Sequence, residues 1–361
     1  MKKNSLKSKL YKFIRNRIDL SERDILKRIK ANPVSDIKSK RFKDSQYLLG
    51  IVYEPYQYHQ HFVQACLDLE ISFDTINIHA NDWWEAIQKE NYDGLLIWPN
   101  GTNDSLKMAY DSRLKHIENV LKIPIFPDYE AVWIYENKIR GYDWLHANGF
   151  PTAPTYIYFN KNEALEHLNH HALPLVIKTN LGASGKGVYI VKTESEYKRL
   201  VQKSFAHGLK SEGFSPYADS RGYIFIQEFL ENILEWRMVR IGDSFFGHQK
   251  LMAENSQKHS GSLLKGWERP PNDLLDLLYE ITEKGNFRSM NADIFVDGQG
   301  KYYVNELHTV FGQSTKELMR VDGKPGRFIR KNNQWVFEEG DFVPGHSAAA
   351  RINYFLSTLK Q

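Results

Sequence analysis

From residue 47 onward, short apolar runs alternate with longer stretches whose apolar positions recur every three or four residues. The first pattern predicts strands and the second helices. Strands are expected over Tyr47–Glu54, Ser72–Ile78, Tyr92–Trp98 and Ile123–Phe126, with helices over Gln60–Leu69, Asp82–Glu90 and Ser105–Leu121 between them. A βαβ succession of this kind argues for a small parallel sheet. Its first strand runs into Glu54-Pro55-Tyr56-Gln57-Tyr58 with no Gly-x-Gly-x-x-Gly, so a dinucleotide site is not expected there. A helix should then run from about Glu130 to Asn148 and stop at Gly149-Phe150-Pro151-Thr152-Ala153-Pro154, where a new unit opens.

That unit begins with an extended segment, Thr155–Phe159, and a helix near Glu163–His170. A hairpin of Leu175–Thr179 and Val188–Lys192 follows, joined by a glycine-rich loop, then a helix over Glu194–Ala206 and a strand over Tyr223–Phe229. The last third reads as antiparallel strands with one helix (Asp273–Lys284), an added hairpin around Asn332-Asn333 within residues 323–344, and a closing helix from Ala348 to Leu359. The added hairpin is expected either to cover a site or to sit on the surface.

Composition narrows the class. With 42% apolar and 25% charged residues over 361 positions, the chain is of ordinary globular type, long enough for two or three subdomains. The longest apolar run, Ala131–Tyr135, is far short of a membrane span, and the basic start lacks the apolar core of a secretory signal. A single cysteine, Cys66, excludes disulfide frameworks and cysteine-rich metal sites; it is expected as a small buried residue in a reducing cytoplasm.

The net charge of +4 conceals a division: residues 1–43 hold 15 basic and 4 acidic residues, the rest 33 and 40. A basic arm therefore precedes a mildly acidic body, and nucleic-acid binding by the body is not expected. In the arm Leu6, Leu10, Phe13, Ile14 and Ile18 form one helical face, and Ser21 with Asp24 suggests the cap of a second helix. These helices either dock on the body or make a peripheral contact with anionic lipid or an acidic protein partner.

Three constellations carry chemistry. In Lys178-Thr-Asn-Leu-Gly182-Ala-Ser184-Gly185-Lys186-Gly187 the glycines allow close backbone approach, and N–H groups with Ser184 suit phosphate oxygens. It is not a Walker A loop, since Gly187 follows Lys186 where Ser or Thr is required; a plain hairpin is the structural alternative. The second constellation is Asn291–His308, two apolar strands around Asp297-Gly298-Gln299-Gly300. A turn centred on Gly298-Gln299 sets Asp293 opposite Val304, with Glu306 and His308 following on the same face. Such acids either face solvent or hold a cation such as Mg²⁺. The third runs from Ile226 to Arg240, a strand, an acidic linker, and a second strand that carries Glu235 and Arg237 on one face; by itself it reads as an ordinary amphipathic strand edge.

In this order the three resemble the ATP-grasp superfamily of ADP-forming carboxylate–amine ligases, which includes D-alanine–D-alanine ligase, glutathione synthetase and the ligases that add glutamate to ribosomal protein. The resemblance covers residues 130–315 and implies an α/β and α+β fold, an ATP-grasp fold preceded by a small parallel βαβ domain. The implied division is a basic arm (1–43), a preATP-grasp-like domain (44–129), a lid subdomain with the glycine-rich loop (130–230) and a C-terminal subdomain with the metal site (231–361).

Position by position, the resemblance implies that Lys138 and Lys178 contact phosphates and that residues 182–187 close over them. Glu228, Phe229 and Leu230 would hold adenine, and either Glu231 or Glu235 the ribose. Arg237, Lys250 and Lys258 would attend the transferred phosphate and the acyl phosphate, and Asp293 and Glu306 would bind Mg²⁺. His308 stands where many relatives carry asparagine and is a softer ligand than an amide oxygen, so it either completes the metal site or hydrogen-bonds substrate, with Asn305 taking the ligand role if the register shifts. The implied cosubstrates are ATP, with Mg²⁺, and small-molecule or peptide-like carboxylates and amines, for example amino acids, peptides or sugar acids. A kinase acting on a hydroxyl and a non-catalytic ATP-binding scaffold are the alternatives. The polar stretch 254–271, with Ser260, Ser262 and Trp267, is expected to line the acceptor site.

Overall fold

A computed structural model of the protein describes residues 37–99, 101, 104–182, 185–211, 219–252, 264–313, 315–343 and 347–359. The expected helices of the arm, Ser184, and Lys258 with Ser260 and Ser262 lie outside these residues.

The N-terminal unit is a five-stranded sheet of β1 (Ser39–Lys40), β2 (Leu48–Val52), β3 (Ser72–Ile76), β4 (Gly94–Ile97) and β5 (Ile125–Phe126), in the order β1-β3-β2-β4-β5. β2 to β5 are parallel, and β1 adds antiparallel to β3. The tail of the basic arm is therefore an edge strand, fixed by a bidentate Arg41–Asp74 pair at 2.8 Å. α1 (Gln60–Asp68), α2 (Trp83–Ile87) and α3 (Asp104–His116, continuing as a π-turn over Ile117–Leu121) connect the strands. Both faces are covered, which is why the strands read as nearly continuous apolar runs. Leu49, Ile51 and Leu96 bury one face against Phe62 and Cys66 of α1, while Val52, Leu95 and Ile97 bury the other against Tyr110 and Leu114 of α3.

The single helix expected over 130–148 is two, α4 (Tyr129–Ile134) and α5 (Lys138–Ala147). Glu136 adopts φ +50° between them, and the Asn137 side chain caps α5 by accepting from the Arg140 N–H at 3.0 Å. The cap ends one helix and starts the next at a point where hydrophobic periodicity is silent.

A four-stranded antiparallel sheet, β6-β11-β7-β8, follows, built from β6 (Thr155–Tyr158), β7 (Leu175–Lys178), β8 (Val188–Val191) and β11 (Ile224–Glu228). It is backed by α6 (Lys161–Glu166) and α7 (Glu194–Ala206), whose Tyr197, Leu200 and Val201 meet Leu175, Ile177 and Ile226. A short pair, β9 (Leu209–Lys210) and β10 (Asp219–Ser220), lies beside it.

The largest sheet is antiparallel and runs β16-β15-β12-β13-β18-β17, from β12 (Leu234–Ile241), β13 (Ser244–Lys250), β15 (Ser289–Val296), β16 (Tyr302–His308), β17 (Arg320–Val321) and β18 (Lys324–Lys331). β14 (Lys265–Gly266) joins β13, and β19 (Gln334–Glu339) joins β18. One face packs on α8 (Asn272–Lys284) through Trp236, Met238, Leu274, Leu278 and Ile281. The β18–β19 hairpin extends this sheet; Trp335 packs on Phe245 and donates to Asp276 of α8 at 3.0 Å, so the hairpin buttresses the helix.

The β15–β16 register differs from the expected one. The turn spans three residues, with Gly300 at φ +80°, so Ile294 rather than Asp293 faces Val304. A β-bulge then inserts Asn305 as an extra residue, and Asp293 faces Glu306 directly. Val304 is left on the buried core side.

The closing helix, α9 (Ser347–Leu359), returns to the first sheet. Its Ile352, Phe355 and Leu356 share a core with Leu49, Phe62 and Phe126, more than 200 residues away along the chain.

Candidate active site

β7 and the inner face of the large sheet approach each other at the level of the bulge, and the predicted chemistry gathers there. Lys178 ends β7, is buried, and donates from Nζ to Asn305 Oδ1 at 2.8 Å. Burial pulls its pKa down to about 8, with Glu306 acting the other way. Lys138, the first residue of α5, donates to the Gly182 carbonyl at 2.7 Å and lies 3.4 Å from Glu306. Together with Tyr142, Leu145, Thr152, Phe225, Gln227 and Val304 these side chains line a small cleft.

Next to it, one row of the large sheet carries Glu306, Asp293, Arg237 and His248, paired strand to strand. Arg237 grips Asp293 bidentately at 2.9 Å, and Lys250 reaches both Asp293, at 3.0 Å, and Glu235. Burial alone would raise the Asp293 pKa, but Arg237 and Lys250 hold it well below the ordinary carboxylate range. Glu306 is likewise held low, by Lys138 and a 3.1 Å hydrogen bond with His308, against the effect of burial. Glu235 has no such surplus of cations: burial and Asp293 raise it to about 7. His308 keeps a raised pKa despite its burial, because Glu306 and Glu136 flank it.

Asp293, Glu306 and His308 each offer a ligand atom within 4.8 Å of the others. Two carboxylates suit a hard cation such as Mg²⁺, and the imidazole suits it less. Asn305 projects to Lys178 instead of joining this trio. The cations that now hold Asp293 are thus the ones a metal ion would displace.

Of the other predicted residues, Gly185 and Gly187 take φ of +71° and +79°, and a Cβ at Gly187 would run into Thr179 Oγ1 and Ser211 Oγ. Lys186 is exposed. Glu228 ends β11, its N–H bonded to the Pro154 carbonyl at 2.9 Å, and Phe229 and Leu230 follow half-buried. Glu231 is exposed, whereas Glu235 is buried within the charged row. Lys265 and Arg320 lie over the Trp267 ring, 5.5 and 5.7 Å from its centre, so cations already face that ring.

Sequence reasoning missed Glu136, Asn180 and the aromatic lining of Tyr142 and Phe225. Asn180 accepts from the Ile139 N–H at 3.2 Å and so ties the glycine-rich hairpin to the start of α5. The Asn137-x-x-Arg140 cap was the available signal for that helix start.

Residues 138–244 match the family described as carbamoyl-phosphate synthase L chain, ATP binding domain. Over 306 residues the chain is 22% identical to the alpha-aminoadipate–LysW ligase LysX of Sulfurisphaera tokodaii, spanning 80% of this chain and 99% of that one. The structure resembles a RimK domain ATP-grasp protein from Sphaerobacter thermophilus with a TM-score of 0.52 and 12% identity, covering 74% of this chain and 92% of that one. It also resembles the biotin carboxylase domain of the Hydrogenobacter thermophilus 2-oxoglutarate carboxylase, crystallised with MgADP, ADP and bicarbonate. There the TM-score is 0.53 at 14% identity, and the likeness covers 74% of this chain and 65% of the other. The matched central segment and the likeness to these structures give the chain an ATP-grasp fold.

Proposed function

We propose that the protein is an ATP-dependent, ADP-forming ligase that joins a carboxylate to an amine through an acyl phosphate. The observation that carries the reading is the cluster of charges: buried Lys178, held by Asn305, and Lys138, 3.4 Å from Glu306, stand beside the paired row of Glu306, Asp293 and Arg237. An anionic polyphosphate is the partner that such a set of paired, desolvated charges can accept. The name of the LysX relative, an alpha-aminoadipate–LysW ligase, supports the same class of reaction.

ATP would enter with its base beside Tyr142, Phe225 and the Glu228–Leu230 segment, and its phosphates toward Lys138, Lys178 and the 182–187 loop. Asn305 fixes the direction of the Lys178 ammonium, so that this charge is in place before the nucleotide arrives. Mg²⁺, held by Asp293 and Glu306, would supply charge neutralisation at the phosphates. As the nucleotide binds, Arg237 is released from Asp293 to meet the transferred phosphoryl group. A carboxylate oxygen then bonds to the γ-phosphorus while the bond to the β-bridging oxygen breaks, and ADP leaves. The amine next attacks the acyl carbon, inorganic phosphate departs with the C–O bonding pair, and the amine proton goes to solvent. No side-chain nucleophile is required.

The test is ADP release by the full chain over a panel of acids and amines with Mg²⁺, repeated with hydroxylamine. A hydroxamate is the expected product of an intercepted acyl phosphate. ADP release without hydroxamate would instead identify a kinase acting on a hydroxyl, and no substrate-dependent release at all would leave a nucleotide-binding scaffold.

A further inference from the structure

Among the described residues, Asp293, Glu306 and His308 are the one group of three side chains whose ligand atoms lie within metal-binding reach of one another. Two are carboxylates and the third is an imidazole, whose setting is that of a ligand. Glu306 divides its oxygens: Oε1 faces Lys138 at 3.4 Å, and Oε2 lies 3.1 Å from His308 Nε2. Adjacent ligands of an octahedral ion at about 2.1 Å stand about 3.0 Å apart, so these two atoms already have the spacing of neighbours on one ion. Glu306 and His308 keep 19% and 13% of their side-chain exposure, so an ion can reach them.

The other ring nitrogen, His308 Nδ1, faces Glu136 Oε1 at 3.8 Å. A carboxylate behind a histidine fixes the ring orientation and makes the outer nitrogen a better ligand. Glu136 is held for that place. It stands between α4 and α5 at φ +50°, a conformation that costs energy for a residue with a Cβ. At Gly101, in the loop after β4, an added Cβ would stand 2.9 Å from Glu136 Cγ, so a glycine lets the N-terminal unit close against this side chain. Buried polar atoms are ordinarily satisfied, yet Glu136 Oε2 has no hydrogen-bond partner. The same holds for both amide atoms of Asn291, the strand partner of His308.

A mixed set of this kind separates ions. Mg²⁺ favours oxygen ligands and keeps several waters, whereas first-row transition ions accept imidazole nitrogen together with carboxylate oxygen. Asp293 and Glu306 alone would serve either kind; His308 adds affinity for the second. We propose that the trio selects a divalent transition ion of the Mn²⁺ type over Mg²⁺, with His308 Nε2 as a direct ligand and Glu136 as the positioning residue behind its ring. This rests on the nucleotide reading of the neighbouring cleft and names the ion that accompanies the phosphates there. Arg237 and Lys250, which now hold Asp293, give way to it.

The test uses the full chain with ADP and Mn²⁺, made once with ordinary histidine and once with histidine labelled with the heavier nitrogen isotope. It reads the nitrogen modulation of the Mn²⁺ electron spin echo. Wild type should show the coupling of a directly bound imidazole, and the label should change it. His308→Asn should remove the coupling while MnADP still binds. Mg²⁺ should displace Mn²⁺ from that variant at about a tenfold lower excess than from wild type. Glu136→Gln should keep the coupling and weaken Mn²⁺ binding about tenfold; unchanged binding would remove its positioning role. If MnADP binds the wild type without a histidine coupling, or if His308→Asn keeps the wild-type preference for Mn²⁺, the inference is wrong and the nucleotide reading stands. If neither MgADP nor MnADP binds the wild type in equilibrium dialysis, the nucleotide reading falls, and this inference with it.

Discussion

Lys178→Met separates a cation held for phosphate from one held for the fold. Burial takes the Lys178 pKa from 10.5 to about 8, which corresponds to about 3 kcal/mol against the protonated form. Because the folded-state value lies below the unfolded one, that cost is present in full below pH 8 and fades as pH rises toward 10.5. Methionine fills similar volume and carries no charge. The variant also loses the bond to Asn305 and leaves its carbonyl without a donor, a loss of about 1–2 kcal/mol. The balance is a gain of about 1–2 kcal/mol for the free variant near neutral pH, or roughly 1–3 °C in melting temperature for a chain of this length. That gain should shrink in alkaline buffer as the wild-type lysine deprotonates. Nucleotide-dependent behaviour should move the other way, with MgATP affinity falling about ten- to a hundredfold and ADP release about a hundredfold or more. Thermal melts with and without MgATP across a pH series, and an ADP-release assay, read both sides. A variant that melts lower than wild type at neutral pH yet releases ADP at the wild-type rate would refute the reasoning, because Lys178 would then be a structural ion-pair partner.

Gly187→Ala places a Cβ at φ +79° against Thr179 and Ser211, so about 1–3 kcal/mol of strain should fall on the glycine-rich hairpin. It should weaken the MgATP-induced thermal shift while leaving far-ultraviolet circular dichroism unchanged. Asp111→Ala should cost about 3–5 kcal/mol in urea unfolding, since it leaves the fully buried Lys107 ammonium with the Val132 and Trp133 carbonyls but no counter-charge; Lys107→Met should cost less, because Asp111 keeps Arg140. Removing residues 1–36 should preserve MgATP binding and ADP release, whereas removing 1–43 also takes β1 and the Arg41–Asp74 pair and should lower the melting temperature.

Elements whose signal is local were legible in the sequence. The helix over Glu194–Ala206 starts at the Thr193 cap and carries a clean apolar stripe, and its bounds are as expected. The strands of the first sheet are apolar because both faces are covered, and that too shows in composition. What sequence reasoning could not supply depended on one-residue events or on distant partners. The three-residue turn at Gly300 and the bulge at Asn305 each shift the register by one, so Asp293 meets Glu306 instead of Val304. Asn305 thereby becomes the support of Lys178, a contact between residues 127 positions apart. Arg351 carries no local signal within the closing helix; only the packing of α9 makes it a buried charge.

The return of α9 also bears on the order in which the protein can fold during synthesis. β2 to β5 are complete once Phe126 has been made, yet Leu49, Phe62 and Phe126 lack the apolar side chains of Ile352, Phe355 and Leu356 until the last helix leaves the ribosome. At typical elongation rates that interval is roughly 10 to 45 s. Throughout it the nascent N-terminal unit presents an open apolar face, a substrate for chaperones. The unit made alone, without residues 347–359, should be held in complexes with them or aggregate, and supplying α9 as a separate peptide should rescue it.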